Sequence, residues 1–426
     1  PLNQRNLSLD HQALIQLISQ KENILIIQDL DGVCMGLVKN PLTRFIDAEY
    51  VKATKSFFGH FFVLTNGEHI GKRGVNRIIE QAFPEPNIVK EQGLYLPGLA
   101  GGGVQWQDCY GNISHLGVSK AELDFLRQVP AQMTRGLKKF WQTNNHDGLS
   151  PQQIERWIEA SVLDNLVSPT INLNIWHDAL QAQPETYGKL QTAMVKLTTE
   201  LLQQAAEAGL KDSFFVHYAP NLGRDSQGKE IVKLAKEHDS GTTDFQFMLR
   251  GAIKEVGVLV ILNHYYYLKT GTYPLGEDFN PRQAPFNRSQ LLTLVKDNFA
   301  PAYMPTIIGV GDTVTSQARE EENQLIFQRG GSDRGFLTLI QAIGQEFAQE
   351  NTVVYVDSSG GEVKNRQPLK MQSITDDPKL PLHQQWQVVE GPGDVRDIND
   401  PLRLNVVFPG GYQQYIKTFQ LAAKLR

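Results

Sequence analysis

Only two cysteines, Cys34 and Cys109, occur among the 426 residues, so no disulfide framework can hold this fold and packing must do so. Long apolar runs are missing too: the most apolar window, Val256 to Leu262, is far shorter than the roughly 20 residues a spanning helix needs. Nor is there an excess of one charge. Lys and Arg total 41 against 46 for Asp and Glu, and the net charge of -5 gives no general attraction to nucleic acid or anionic membrane. A site for an anion must therefore be positive locally. The pattern of a signal peptide, internal repeats and low-complexity tracts are absent as well, which makes the cytosol the expected address. What the sequence does have is 41% apolar residues on a length sufficient for two domains with cores of their own.

Those residues are organised around Asn23 to Gly36, NILIIQDLDGVCMG. Its branched apolar start suits a strand buried on both faces, and the run ends in Asp29, Leu30, Asp31 and Gly32. Ligands bind at the carboxyl ends of strands in an open α/β sheet, and two acids backed by a glycine suit a hard cation and a phosphate. The plain alternative for this stretch alone is an Asp-rich turn. An EF-hand calcium loop is disfavoured, because Val33, Met35, Leu37 and Val38 are apolar. Two later runs share the form. His60 to Gly67, HFFVLTNG, ends in Thr65, Asn66 and Gly67, and Pro305 to Ser316, PTIIGVGDTVTS, carries Gly311 and Asp312.

Three apolar runs ending in DLDG, TN and GD, in that order, resemble the haloacid dehalogenase superfamily of phosphatases. The resemblance implies an α/β fold: a Rossmann-like core with a parallel sheet, and a large α/β cap inserted between the second and later motifs. It divides the chain into core at 1–114, cap at 115–285 and core again at 286–426. It also implies a chemistry. Asp29 would attack phosphorus to form an aspartyl-phosphate, and Asp31 would protonate the leaving oxygen and then activate water. Thr65 and Asn66 would hold phosphoryl oxygens, and Mg²⁺ would bridge the phosphate, Asp29, the Asp31 carbonyl and Asp312. Related sugar phosphatases open a helix with Asn-Lys-Gly where this chain has Asn287, Arg288 and Ser289, so Arg288 would bind phosphate in the lysine's place. Lys254 and Arg250 are the alternative cations. The second acid that commonly follows the GD aspartate is missing, since Val314, Thr315, Ser316 and Gln317 come after Asp312. Ser316 and Asp333 are the candidates to replace it. Lys211 to Pro220, KDSFFVHYAP, resembles the K…HYR segment in caps of trehalose- and sucrose-phosphate phosphatases, with Ala219 in place of the arginine; His217 there reads as a packed histidine.

Elsewhere the patterning predicts helices ending at Gln20 and over Asp47 to Phe58, Glu68 to Ala82, Thr186 to Ala208, Asn287 to Phe299 and Phe336 to Phe347. It predicts a hairpin within Gly93 to Ile113, whose Gly101 to Gly103 run lacks the lysine and the strand-to-helix context of a phosphate loop. Short strands are expected at Asp212 to Tyr218 and Val258 to Tyr267, and core strands at Gln324 to Gln328, Thr352 to Asp357 and Leu404 to Phe408. Ser373 to Pro401 reads as an irregular surface excursion. Trp141, Trp157, Trp176 and Tyr265 to Tyr267 are either sugar-stacking faces of the cap or core. The stretches NGEHIGKRGVNRIIEQ, GGGVQWQDCYGN and GVGDTVTSQAREEE extend the resemblance over essentially the full length, to the cyanobacterial glucosylglycerol 3-phosphate phosphatases, a salt-tolerance family. That implies a small-molecule sugar-phosphate substrate, glucosylglycerol as product, and functional association with the glucosylglycerol-phosphate synthase. The alternatives are the same chemistry on sucrose or trehalose phosphate, a phosphotransferase, or a non-catalytic phosphosugar-binding regulator. A regulator would have no need of a nucleophile and an acid two residues apart.

Overall fold

A computed structural model describes residues 1–144, 148–394 and 396–426. Its central sheet runs Val406–Phe408, Thr352–Val356, Thr306–Gly311, Ile24–Gln28, Phe61–Leu64 and Gly98–Ala100, all parallel. Gln105–Gln107 and Ile113–His115 extend one edge as antiparallel strands. Ile24–Gln28 sits inside the sheet and every one of its residues is buried. Side chains alternate along a strand, so Ile24 and Ile26 enter the apolar cluster on one face, and Leu25 and Ile27 enter the cluster on the other. Each such side chain contributes about 1.5–3 kcal/mol when fully buried. Helices His11–Gln20, Ala48–Thr54, Val75–Ala82 and Gly411–Leu425 cover the first face; Lys254–Thr270, Arg288–Asn298 and Arg334–Glu346 cover the second. This is the α/β, Rossmann-like class that the three motifs imply.

A second sheet, antiparallel, has the order Val162–Leu163, Thr170–Asn172, Asp244–Leu249 and Phe214–Ala219. Helices Val129–Thr143, Pro151–Ser161 and Pro184–Glu207 pack on one of its faces around Ile171, Phe245 and Phe247. The tryptophans belong to that packing. Trp141 stacks on Trp176 with ring centroids 4.6 Å apart, Trp157 meets Trp176 edge-on, and Tyr265 is buried on a helix against the other sheet.

Four expectations give way to the structure. Val258 to Tyr267 is not a strand but part of the helix Lys254–Thr270, which Gly271 ends in the left-handed conformation at φ 73°. The helix is buried nearly all round, and a continuous apolar run has no period that separates a buried strand from a buried helix. It lies within the stretch expected as cap yet packs on the central sheet. Gly257 permits this, since a Cβ there would come within 2.5 Å of Leu64 Cδ1. Gln324–Gly330 pairs with Thr315–Glu321 in a hairpin outside the central sheet, and its Leu325 and Ile326 are exposed. The Ser373 to Pro401 excursion contains the strand Trp386–Glu390, paired with Lys370–Ser373. The helix expected from Glu68 begins only at Val75, which leaves Glu68 in the loop above the sheet.

Candidate active site

Strands Phe61–Leu64, Ile24–Gln28 and Thr306–Gly311 are neighbours and parallel, so the TN, DLDG and GD motifs emerge side by side at the carboxyl edge. One cavity there is lined by Asp29, Asp31, Thr65, Asn66, Lys254 and Asp312, with the antiparallel sheet forming its far wall. Asp29 N donates to Val310 O at 2.9 Å, which fixes the first residue past its strand. Its carboxylate is buried against Lys254, whose Nζ lies 2.9 Å from Asp29 Oδ2 and 2.6 Å from Asp333 Oδ1. Asp333 Oδ2 accepts from the amides of Asp312 at 2.9 Å and Thr313 at 3.0 Å. Asp312 Oδ1 accepts from the Thr313 hydroxyl at 2.8 Å, while no donor reaches the buried Oδ2, with Arg366 Nε 3.5 Å away.

Asp29, Asp312 and Asp333 each bring a carboxylate oxygen within 4.8 Å of the others. Three buried carboxylates thus face one ammonium and one guanidinium, and the deficit of positive charge fits a divalent cation. Both oxygens of Asp333 are already engaged, so Asp29 and Asp312 are the carboxylates free to hold a metal, with the orphaned Asp312 Oδ2 directed at the gap. Gly32 keeps that gap open: its φ is +81°, and a Cβ would lie 2.1 Å from Asp312 Oδ2.

The charges follow the same geometry. Burial and the neighbouring Asp333 push Asp29 well above the usual carboxylate range, against the pull of Lys254. Burial raises Asp312 to about 6 despite Arg366. Burial would raise Asp333 too, but Lys254 and the two amides outweigh it and hold this carboxyl low. Lys254 stays charged although buried, because Asp29 and Asp333 hold its proton.

Asp31 is more exposed and pairs with Arg44, whose Nη1 is 3.1 Å from its Oδ2. Arg44 also donates to the Arg73 carbonyl, and Arg73 reaches Asp164, just past the strand Val162–Leu163 of the second sheet, at 2.7 Å. Thr65 N donates to Leu99 O at 2.9 Å, and the Thr65 hydroxyl accepts from Gly67 N at 3.2 Å. The glycine run that lacks a phosphate-loop signature buttresses this turn from behind. Gly101 N donates to Gly67 O at 2.6 Å and Gly102 N to Thr65 O at 2.9 Å. A Cβ at Gly102, whose φ is +73°, would meet Ala252 O at 2.2 Å.

The structure therefore brings Asp29, Asp31, Thr65, Asn66 and Asp312 to one cavity, and Lys254 is the cation on Asp29. Arg288 does not line this cavity: it is exposed at the start of its helix, beside the Asn287 cap, and lines a neighbouring cavity that shares Asn66 and Lys254. Arg250 pairs with Asp212 at 3.2 Å, and Ser316 donates to Asp397 at 2.9 Å, outside the cavity. His217 is packed as expected, its Nδ1 2.8 Å from Glu230 Oε1. Sequence reasoning missed Arg44, Arg366 and Asp244 in the lining. None of them lies in a strand-end motif, and only the fold brings them there.

A parallel sheet with aspartates at adjoining strand ends, and a second sheet closing over them, places the chain in the haloacid dehalogenase superfamily. A family model described as glucosylglycerol-phosphate phosphatase matches residues 23–423. The glucosylglycerol-phosphate phosphatase of Synechocystis sp. is 57% identical over 425 residues, which is 100% of this chain and 98% of that protein. The chain belongs to the glucosylglycerol-phosphate phosphatase family. Among solved structures, the C-terminal domain of C. albicans trehalose-6-phosphate phosphatase is similar with a TM-score of 0.45 at 12% identity, covering 99% of each chain. The C-terminal domain of the Candida albicans trehalose synthase regulatory protein also gives 0.45, at 8% identity, covering 84% of this chain and 94% of that one. Among the described residues no helix is long and apolar enough to cross a membrane.

Proposed function

We propose that the protein hydrolyses glucosylglycerol 3-phosphate to glucosylglycerol and inorganic phosphate, in compatible-solute synthesis for salt tolerance. The observation that carries this reading is the 57% identity, over the whole chain, to a glucosylglycerol-phosphate phosphatase. Uncatalysed phosphate monoester hydrolysis is extremely slow, so a catalyst must neutralise the phosphoryl oxygens and hold a nucleophile in line. Asp29 supplies the nucleophile: a carboxylate oxygen attacks phosphorus, the bond from phosphorus to the sugar-side oxygen breaks, and Asp31 gives that oxygen its proton. Asp31 then takes a proton from water, whose oxygen attacks the phosphoryl group, and the bond to Asp29 breaks to release phosphate.

Lys254 lies 2.9 Å from Asp29 and is the cation we assign to the phosphoryl oxygens, with Thr65 and Asn66 as neutral donors. Arg44 steadies Asp31 at the cavity wall. Mg²⁺, held by Asp29, Asp312 and the Asp31 carbonyl, would supply the remaining positive charge. The antiparallel sheet and its helices act as the cap, and the ester comes from the synthase that makes it, both in the cytosol.

Phosphate release from glucosylglycerol 3-phosphate, sucrose phosphate and trehalose phosphate, with and without Mg²⁺, tests this directly. The expected result is metal-dependent turnover of the first ester, with Asp29→Asn folded and slower by at least about a thousandfold. Preferred turnover of another ester discards the substrate, and a wild-type rate in Asp29→Asn discards the covalent step.

A further inference from the structure

One face of the antiparallel sheet is apolar, and the other is polar where it borders the cavity. Its register sets Asp244 opposite Asn172, Phe245 opposite Ile171 and Gln246 opposite Thr170. Alternation therefore sends Ile171 and Phe245 into the apolar cluster, and Thr170, Asn172, Asp244 and Gln246 to the cavity that holds Asp29 at its other end. This wall has the chemistry of a surface that reads hydroxyl groups. Gln246 is 8% exposed, and its Oε1 is buried with no donor. Asp244 accepts from Asn172 Nδ2, and burial raises its carboxyl to about 6 against the pull of Asn172 and of Arg366, which lines the same cavity. No aromatic ring lines this cavity among the described residues, and its wall offers polar groups instead.

A buried acceptor without a donor costs free energy until one is supplied, and the half-buried Asp244 carboxylate, open to the cavity, has lone pairs left to accept from a ligand. Hydroxyls can donate to both; a bare apolar group leaves them unpaired, and a second anionic group meets the charge of Asp244. We propose that Asn172, Asp244 and Gln246 bind the hydroxyls of the leaving group and restrict the enzyme to phosphate monoesters of otherwise uncharged polyols, with Asp244 rejecting esters that carry a second negative charge. This deepens the phosphatase reading and rests on it.

The test compares kcat/KM for glucosylglycerol 3-phosphate, p-nitrophenyl phosphate, whose leaving group lacks a polyol, and fructose 1,6-bisphosphate, which carries a second anion. In Gln246→Ala the preference for the polyol ester over the nitrophenyl ester should fall about tenfold, chiefly through KM, as the loss of a hydroxyl contact predicts. Asp244→Asn should lower the same preference and raise the rate on the bisphosphate relative to the polyol ester by about tenfold or more. Equal losses on all three esters, or an unchanged preference, overturn the proposal. A wild-type protein inactive on every ester would sink the phosphatase reading instead. The wall is then judged by calorimetry with phosphate-free glucosylglycerol: binding weakened in both variants supports it, and equal or absent binding overturns it.

Discussion

The two sheets that meet at the cavity deliver side chains to it in opposite ways. Parallel strands buried on both faces can offer ligand groups only at their ends, so the central sheet supplies Asp29, Thr65 and Asp312 from the positions just past three strands. The antiparallel sheet turns one face to its own apolar cluster and the other to the cavity, and supplies Thr170, Asn172, Asp244 and Gln246 from within its strands. Charge is concentrated at the first wall, where Lys254 is shared by Asp29 and Asp333 and Asp312 faces Arg366. The second wall is mostly neutral and keeps the Gln246 Oε1 acceptor unfilled. Topology fixes the charge-handling end, because parallel neighbours must bring their carboxyl ends together. Register fixes the recognition face: a slip of one residue would present Phe245 in place of Asp244.

If charge at the first wall is as tightly coupled as its geometry, the largest effect belongs to Lys254. Lys254→Ala leaves Asp29 and Asp333 buried without their cation, which should cost about 3–5 kcal/mol of stability and at least about a hundredfold in turnover. Denaturant midpoints and phosphate release measure the two. Arg288→Ala removes an exposed guanidinium, so the expected stability change is within about 0.5 kcal/mol. A loss of turnover in Arg288→Ala as large as in Lys254→Ala would move the phosphate cation to Arg288. Next comes Asp312→Asn, which keeps the volume and removes a free carboxylate oxygen from the gap beside Gly32. The Mg²⁺ concentration for half-maximal activity should rise about a hundredfold. An unchanged requirement would place the metal elsewhere and break the division between a charged wall and a neutral one.

How much of this was legible in the sequence follows the same division. The DLDG, TN and GD motifs each sit at the end of a buried apolar run, so the parallel core and the placement of Asp29, Asp31, Thr65, Asn66 and Asp312 could be read from order and pattern. Lys254 was visible only as an alternative to Arg288. It opens a helix whose apolar run could equally be a strand, and the helix is what carries it back beneath Asp29. Asp333 was likewise a candidate without a position until the loop after Gly330 turned it toward Lys254. Asp244 and Gln246 carry no motif. Their role depends on pairing with Thr170 and Asn172, some seventy residues earlier in the chain, and no local spacing encodes such a register.

The smallest effect tests the seam between the walls. Glu68, just past the TN motif, accepts from Val167 N at 2.5 Å and Ser168 N at 3.1 Å of the second unit, and from Gln105 Nε2 at 2.7 Å of the first. Burial outweighs these bonds and pushes its carboxyl from 4.5 up to about 7. A proton held more tightly in the folded chain than in the unfolded one favours folding while it is bound. The contribution of Glu68 is therefore fully present below about pH 4.5 and is lost as pH rises through about 7. Glu68→Gln cannot ionise, and every other titrating group is common to both proteins. Between pH 5 and 7 the wild type should lose about 2 kcal/mol relative to Glu68→Gln in urea midpoints, by linkage. Parallel curves would mean that Glu68 is ionised throughout, with the Val167 and Ser168 amides holding its charge. The seam would then be an electrostatic clamp of the same kind as the Lys254 wall, instead of a neutral junction like the face that carries Gln246.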